Sequence, residues 1–157
     1  MNHIVIGTDG SPGARAAVSE GLEMARRLGG QVTFVAVRHG ISVLGDPYYQ
    51  HRLSDQLAHA RAAVEDAMAE AERLGVHAEY EIAEGEAADE ILKAARYREA
   101  DLIVVGSRGL GAIAGALLGS VSRKLVQHSP IPVLVVKERG PSEVAAEHAG
   151  DLTGAHV

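Results

Sequence analysis

Two short segments hold the residue types that could bind an anion. One is Gly7-Thr8-Asp9-Gly10-Ser11; the other runs from Gly106-Ser107-Arg108-Gly109-Leu110-Gly111-Ala112 through Gly115 to Gly119-Ser120-Val121-Ser122. The five glycines between 106 and 119 leave the backbone bare enough to approach a ligand and aim N–H groups at it. Ser120 and Ser122 stand where a helix would begin, and its free N–H groups and positive dipole end favour an anion. A polyphosphate suits that pattern. Between Asp101 and Glu138 there is no Asp or Glu, whereas Arg108, Arg123, Lys124 and Lys137 all fall there. Buried strands beside a Gly/Ala loop would also leave acids little room. The stretch from Leu110 to Leu118 carries no charge, so backbone amides and serine hydroxyls would do the binding, with magnesium completing the charge balance.

Other chemistries find less support. The P-loop pattern GxxxxGK[ST] is absent, and GxSxG, the nucleophile elbow, is missing. Gly109 to Ala114 satisfies GxGxx[GA], but Gly115 and Gly119 interrupt the helix that a dinucleotide fingerprint should open. Without cysteine there is no thiolate metal site, and the eight histidines form no HExxH or HxH set; most read as surface residues, with His3 a candidate for partial burial in its strand. The carboxylates from Glu79 to Asp101 read as a solvated helix face with adjoining loops.

The elements that position these segments alternate along the chain. Val- and Ile-rich runs at His3–Thr8, Gln31–Val37, His77–Ile82, Asp101–Val105 and Ile131–Val136 predict five strands. Helical spacing predicts one helix from Ser11-Pro12 to Gly29, a long amphipathic one over Leu53–Leu74, a shorter one over Ala87–Arg98 and a fourth after Gly119. Such alternation implies right-handed crossovers and a doubly wound parallel sheet, whose ligands bind beyond the carboxyl ends of the strands. His39 to His51 reads as a flap-like loop, and residues 138–157 as a poorly ordered tail. Pro130 and Pro132 point to an edge strand, whose apolar Val133, Leu134, Val135 and Val136 need a cover. A second copy paired across the same edge would supply one, as would the tail folded back.

With 157 residues and a net charge of -6, the chain is long enough for one domain and too acidic for a generic nucleic-acid binder. Aromatics at 3% argue against base stacking. No stretch reaches the length of a membrane span and no leader pattern opens the sequence, so a cytoplasmic protein without membrane association is expected.

Gly106-x2-Gly109-x9-Gly119-Ser120 is the full G-x2-G-x9-G-[ST] signature of ATP-binding universal stress proteins. The resemblance runs over residues 1–137, from IVIGTDGSP through DLIVVGSRG to HSPIPVLVVK. It implies a three-layer α/β sandwich of the adenine nucleotide alpha hydrolase-like type, with a five-stranded parallel sheet in order 3-2-1-4-5, four helices, and residues 1–137 as the domain. It also implies a homodimer with ATP at the switch point between the first and fourth strands. Carried onto this sequence, Asp9 belongs beside the adenosine or a bound magnesium, or else caps the following helix turn. Val37 belongs against adenine, or in the core, and Gly7 and Thr8 line the adenine side. Gly106, Ser107, Arg108 and Gly109, followed by Leu110, Gly111 and Ala112, form the first phosphate and ribose turn; Gly119, Ser120, Val121 and Ser122 form the second. Arg108 bridges phosphates or reaches into solvent.

The resulting expectation is a stress-response regulator in which ATP orders the loop of residues 107–118 and changes the surface offered to protein partners. The alternatives are a slow ATPase or phosphotransferase using Asp9 and Arg108, and a dimeric interaction module that binds no nucleotide.

Overall fold

The computed structural model describes residues 2–110 and 117–138. The element order is β1 (His3–Gly7), α1 (Pro12–Leu28), β2 (Gln31–Arg38), α2 (Tyr49–Leu74), β3 (Ala78–Glu84), α3 (Ala87–Tyr97), β4 (Leu102–Gly106), α4 (Ser120–His128) and β5 (Val133–Val136). All neighbouring strands pair in parallel, as the alternating pattern led us to expect, and their order is β3-β2-β1-β4-β5, as the resemblance implied. The expected tail lies, apart from Glu138, outside the described residues.

Strand periodicity divides the core between the two faces of the sheet. Ile4, Ile6 and Phe34 point towards α1 and α2, meeting Leu22 and Val64. Val5, Val35 and Ile103 point the other way, meeting Ile91 of α3 and Leu125 of α4. Small residues bring the helices close: α1 buries Gly13, Ala14, Ala17, Gly21 and Ala25, and α2 buries Ala60, Ala63, Ala67 and Ala71. Ser11 caps α1 by accepting the Ala14 N–H at 3.2 Å, and Gly29 ends it with φ of 66°.

Several boundaries shift by one to four residues from those expected, and two of the shifts have a clear local cause. Helix α2 starts at Tyr49 rather than Leu53, so the preceding loop is shorter than the sequence suggested. Asp46 sets that start, accepting the Tyr48 N–H at 2.9 Å and the Arg52 Nε–H at 2.9 Å. Arg52 and the Tyr48 N–H in turn hold the Asp46 carboxyl below its usual range. Asp46-Pro47 is itself a helix-start signal. Strand β5 begins at Val133, because neither Pro130 nor Pro132 has an N–H for the ladder, although the Pro132 carbonyl still accepts the Ile103 N–H.

At the amino ends of the strands, His3 is buried and its ring bridges two residues of β2. The Gln31 side-chain amide meets Nδ1 at 3.3 Å and Nε2 meets the Thr33 hydroxyl at 2.8 Å. Burial, aided by nearby Arg98, pushes the His3 pKa below 6.5, against the weaker pull of Glu79 and Asp101. The unfolded chain therefore takes up the proton first on acidification. His3 contributes its full stability above pH 6.5 and loses it as pH falls from there towards its folded pKa. We expect Tm to fall between pH 7.5 and 5.5 in the wild type, to a degree roughly set by this shift, and to fall less in His3→Gln.

Candidate functional site

The chain leaves β1 at Gly7 and turns across the carboxyl ends of the strands. The Thr8 N–H still donates to the Val35 carbonyl at 2.9 Å, and the Thr8 hydroxyl accepts the Gly10 N–H at 3.3 Å. Gly10 has φ of 76°, a conformation that resists a side chain. Asp9 Oδ1 accepts the Ser11 N–H at 3.0 Å, while Oδ2 accepts the Leu110 N–H at 3.1 Å and so joins the loop after β1 to the loop after β4. From α2, His59 donates its Nε2–H to the Asp9 carbonyl at 2.9 Å.

The backbone of Ser107 ties the second segment together. Its N–H donates to the Val136 carbonyl at 2.8 Å, and its carbonyl accepts the Gly119 N–H at 2.6 Å and the Ser122 hydroxyl at 3.0 Å. The two halves of the glycine signature are thus stitched to each other and to β5. None of Gly106, Gly109 and Gly119 adopts a positive φ. At Gly106 the protein's own backbone excludes a side chain, and at Gly109 one would have to displace the Asp9 carboxylate. A Cβ on Gly106 would lie 2.6 Å from the backbone of Gly13, one on Gly13 would lie 2.5 Å from the Arg108 carbonyl, and one on Gly109 would lie 2.7 Å from Asp9 Oδ2. Gly119 is roomier, with nothing closer than 3.4 Å.

The N-cap of helix α4 is Gly119, which offers no side-chain cap, so the N–H groups of Ser120, Val121 and Ser122 open its amino end. Arg123 curls back to the Leu118 carbonyl at 3.2 Å. Lys124, one of the four cations behind the sequence-level charge contrast, lies elsewhere, bound to Glu86, the N-cap of α3, and to Asp89 in its first turn at 2.9 Å each. Those contacts lower the pKa of the Asp89 carboxyl and raise that of the Lys124 amine. The Arg108 side chain is exposed and has no ion-pair partner among the described residues.

A second open edge faces the same rim from β2. The Val35 carbonyl bonds towards β1 and the Arg38 carbonyl towards Gly85 beside β3. By alternation, the N–H and C=O of Val37 point to where β1 has already turned away. The pairing with β1 ends at Val35, and among the described residues neither group bonds to a backbone group outside the strands.

The expected site residues divide accordingly. Asp9, Val37, Arg108, Gly109, Leu110, Gly119 and Ser120 reach the rim at least in part. Gly7, Thr8, Ser107 and Ser122 are buried, and Val121 packs on the core. The Ser122 hydroxyl proton is taken up by protein carbonyls, leaving its backbone N–H for a ligand. Gly111 and Ala112 lie outside the described residues. A crevice of about 290 Å³ between α1 and α2 shares Thr8 and Gly10 but none of residues 106–122, so it backs the β1 turn rather than forming this rim. Sequence reasoning missed His59 and Gly13: a lone histidine in a polar helix carries no local signal, although Gly13 directly after Ser11-Pro12 marks a helix start with a bare backbone.

The family model for the universal stress protein family matches residues 1–137. A universal stress protein of Thermus aquaticus is 36% identical over 136 residues, covering 85% of this chain and 97% of the relative. Among solved structures, the universal stress protein UspA from Lactobacillus plantarum superposes with a TM-score of 0.78 at 26% identity, covering 86% of this chain and 97% of that one. A universal stress protein in complex with cAMP gives a TM-score of 0.69 at 28% identity, covering 88% and 98%.

The glycine geometry separates positions that the signature treats alike. Gly106→Ala should destabilise the fold by about 1–3 kcal/mol, because its contact is backbone and has nowhere to move. Gly119→Ala should leave the denaturation midpoint near that of the wild type, and equal losses in the two variants would contradict this account.

Proposed function

The chain belongs to the universal stress protein family, and we propose that it binds an adenine nucleotide, ATP with magnesium, on the rim between β1 and β4. It would act in the cytoplasm as a stress-response regulator, through binding rather than fast turnover. The supporting observation is that two sets of backbone groups without partners among the described residues flank one rim. The Val37 N–H and C=O lie on the β2 side, and the first-turn N–H groups of α4 lie beside β4. Two strand spacings, about 10 Å, separate β2 from β4. The first set suits the N1 acceptor and exocyclic amine of adenine, and the second suits phosphate. The neighbour solved in complex with cAMP supports an adenine ligand in the family.

The chain offers magnesium little by itself. Among the described residues no group of three or more His, Asp or Glu could hold a metal. Both oxygens of Asp9 already accept backbone N–H groups. A magnesium ion would therefore arrive with the phosphates, with Asp9 at most an outer partner. The same two bonds suit Asp9 to positioning rather than proton transfer.

The outer edge of β5 is the proposed homodimer interface. Pro132, Leu134 and Val136 face β4, which leaves the N–H and C=O of Val133 and Val135 on the free edge. All four β5 side chains are half-buried in the single chain.

Two measurements test this reading. In thermal shift and calorimetry with magnesium, ATP, AMP or cAMP should raise Tm, by up to about 2.7 kcal/mol of added stability at a hundredfold excess over Kd. GTP should bind at least roughly tenfold more weakly, because guanine presents a carbonyl where Val37 needs a donor. Equal binding of ATP and GTP would remove the Val37 role, and no binding of any adenine nucleotide would overturn the reading. Val135→Pro deletes an outward N–H without touching the β4 ladder, so in sedimentation it should convert dimer to monomer.

A further inference from the structure

The histidine on α2 sits where it can govern the shape of the turn after β1. We propose that His59 is a positioning residue for nucleotide binding, holding the Asp9–Gly10 peptide so that the Asp9 carboxylate stays over the rim. This rests on the nucleotide reading above.

One peptide plane carries both the Asp9 carbonyl and the Gly10 N–H. It is pinned at one end by His59, at 2.9 Å, and at the other by the Thr8 hydroxyl, at 3.3 Å. A carbonyl only accepts, so Nε2 of His59 carries the proton of the shorter bond. Glycine follows this plane, and its freedom on both sides of φ zero lets the plane rotate with little steric resistance. Without His59, the longer bond to Thr8 alone would oppose that rotation. Rotation there resets ψ of Asp9 and φ of Gly10, torsions that set where the Ser11 N–H lies relative to the Asp9 carboxylate, and so loosens that bond and the one to the Leu110 N–H. Helix α2 can supply this support because Ala63, one turn after His59, lets the Gly10 α-carbon come close; even an added Cβ on Gly10 would lie only 3.5 Å from the Ala63 methyl. His59 itself is exposed and belongs to neither core cluster, so its removal opens no cavity.

The test compares wild type, His59→Ala and His59→Gln, since glutamine keeps an N–H donor of similar reach. In the nucleotide-free proteins, amide hydrogen exchange at Ser11 and Leu110 should be faster in His59→Ala and restored in His59→Gln. Calorimetry should show His59→Ala binding roughly three- to tenfold more weakly, the effect of one hydrogen bond. That factor should be the same for adenosine, AMP and ATP, because the defect lies at the nucleoside end, and thermal stability should show no matching loss. Unchanged exchange and affinity in His59→Ala would overturn the proposal, as would a loss that grows with the number of phosphates. If the wild type bound none of the three ligands, the nucleotide reading itself would fall, and the exchange data would still decide whether His59 fixes Asp9.

Discussion

No side chain stands between the end of β4 and the first turn of α1. Gly106 lies against the backbone of Gly13, and Gly13 lies against the Arg108 carbonyl, with gaps that would not admit a single methyl group. Because α1 can settle this low on the sheet, its amino end and the turn before it stand level with the loop after β4. Asp9 can then reach the Leu110 N–H. Ser107, held from the opposite side by Val136, carries the start of α4 on its carbonyl. A pair of bare α-carbons thus sets the height at which the loops after β1 and β4 meet.

This gives the glycine signature two physical meanings. Gly106 and Gly109 are constrained by the chain itself, one by α1 and the other by Asp9, whether or not a ligand is present. Gly119 has room for a small side chain, and its part is to open α4 without a capping group. A motif usually read as contact with phosphate is, for two of its three glycines, a record of how closely the protein packs on itself.

The fold was legible because its signals are local. Apolar runs with β-branched residues gave the strands, Ser11-Pro12 and Gly29 gave the ends of α1, and the strand order followed from the family resemblance. The start of α2 was also written in Asp46-Pro47 but was masked by the glycine and tyrosines around it. The site was legible as a set of segments and not as a set of contacts. Lys124 counted towards a positive stretch in sequence, yet it answers to Glu86 and Asp89 on a neighbouring helix. Gly13 meets Gly106 across 93 positions and His59 meets Asp9 across 50, separations over which residue type alone carries no pairing information.

A sheet whose strands all run the same way gathers every carboxyl end on one side, and β5 is no exception. Val136 is bonded directly to Ser107, so Lys137 emerges about one strand spacing from the loop that begins the glycine signature. For protein engineering this makes the end of β5 a natural attachment point. A fluorophore or fused module joined there would begin its path beside the rim between β1 and β4, whereas one placed at the amino end of β1 would lie a full strand length away.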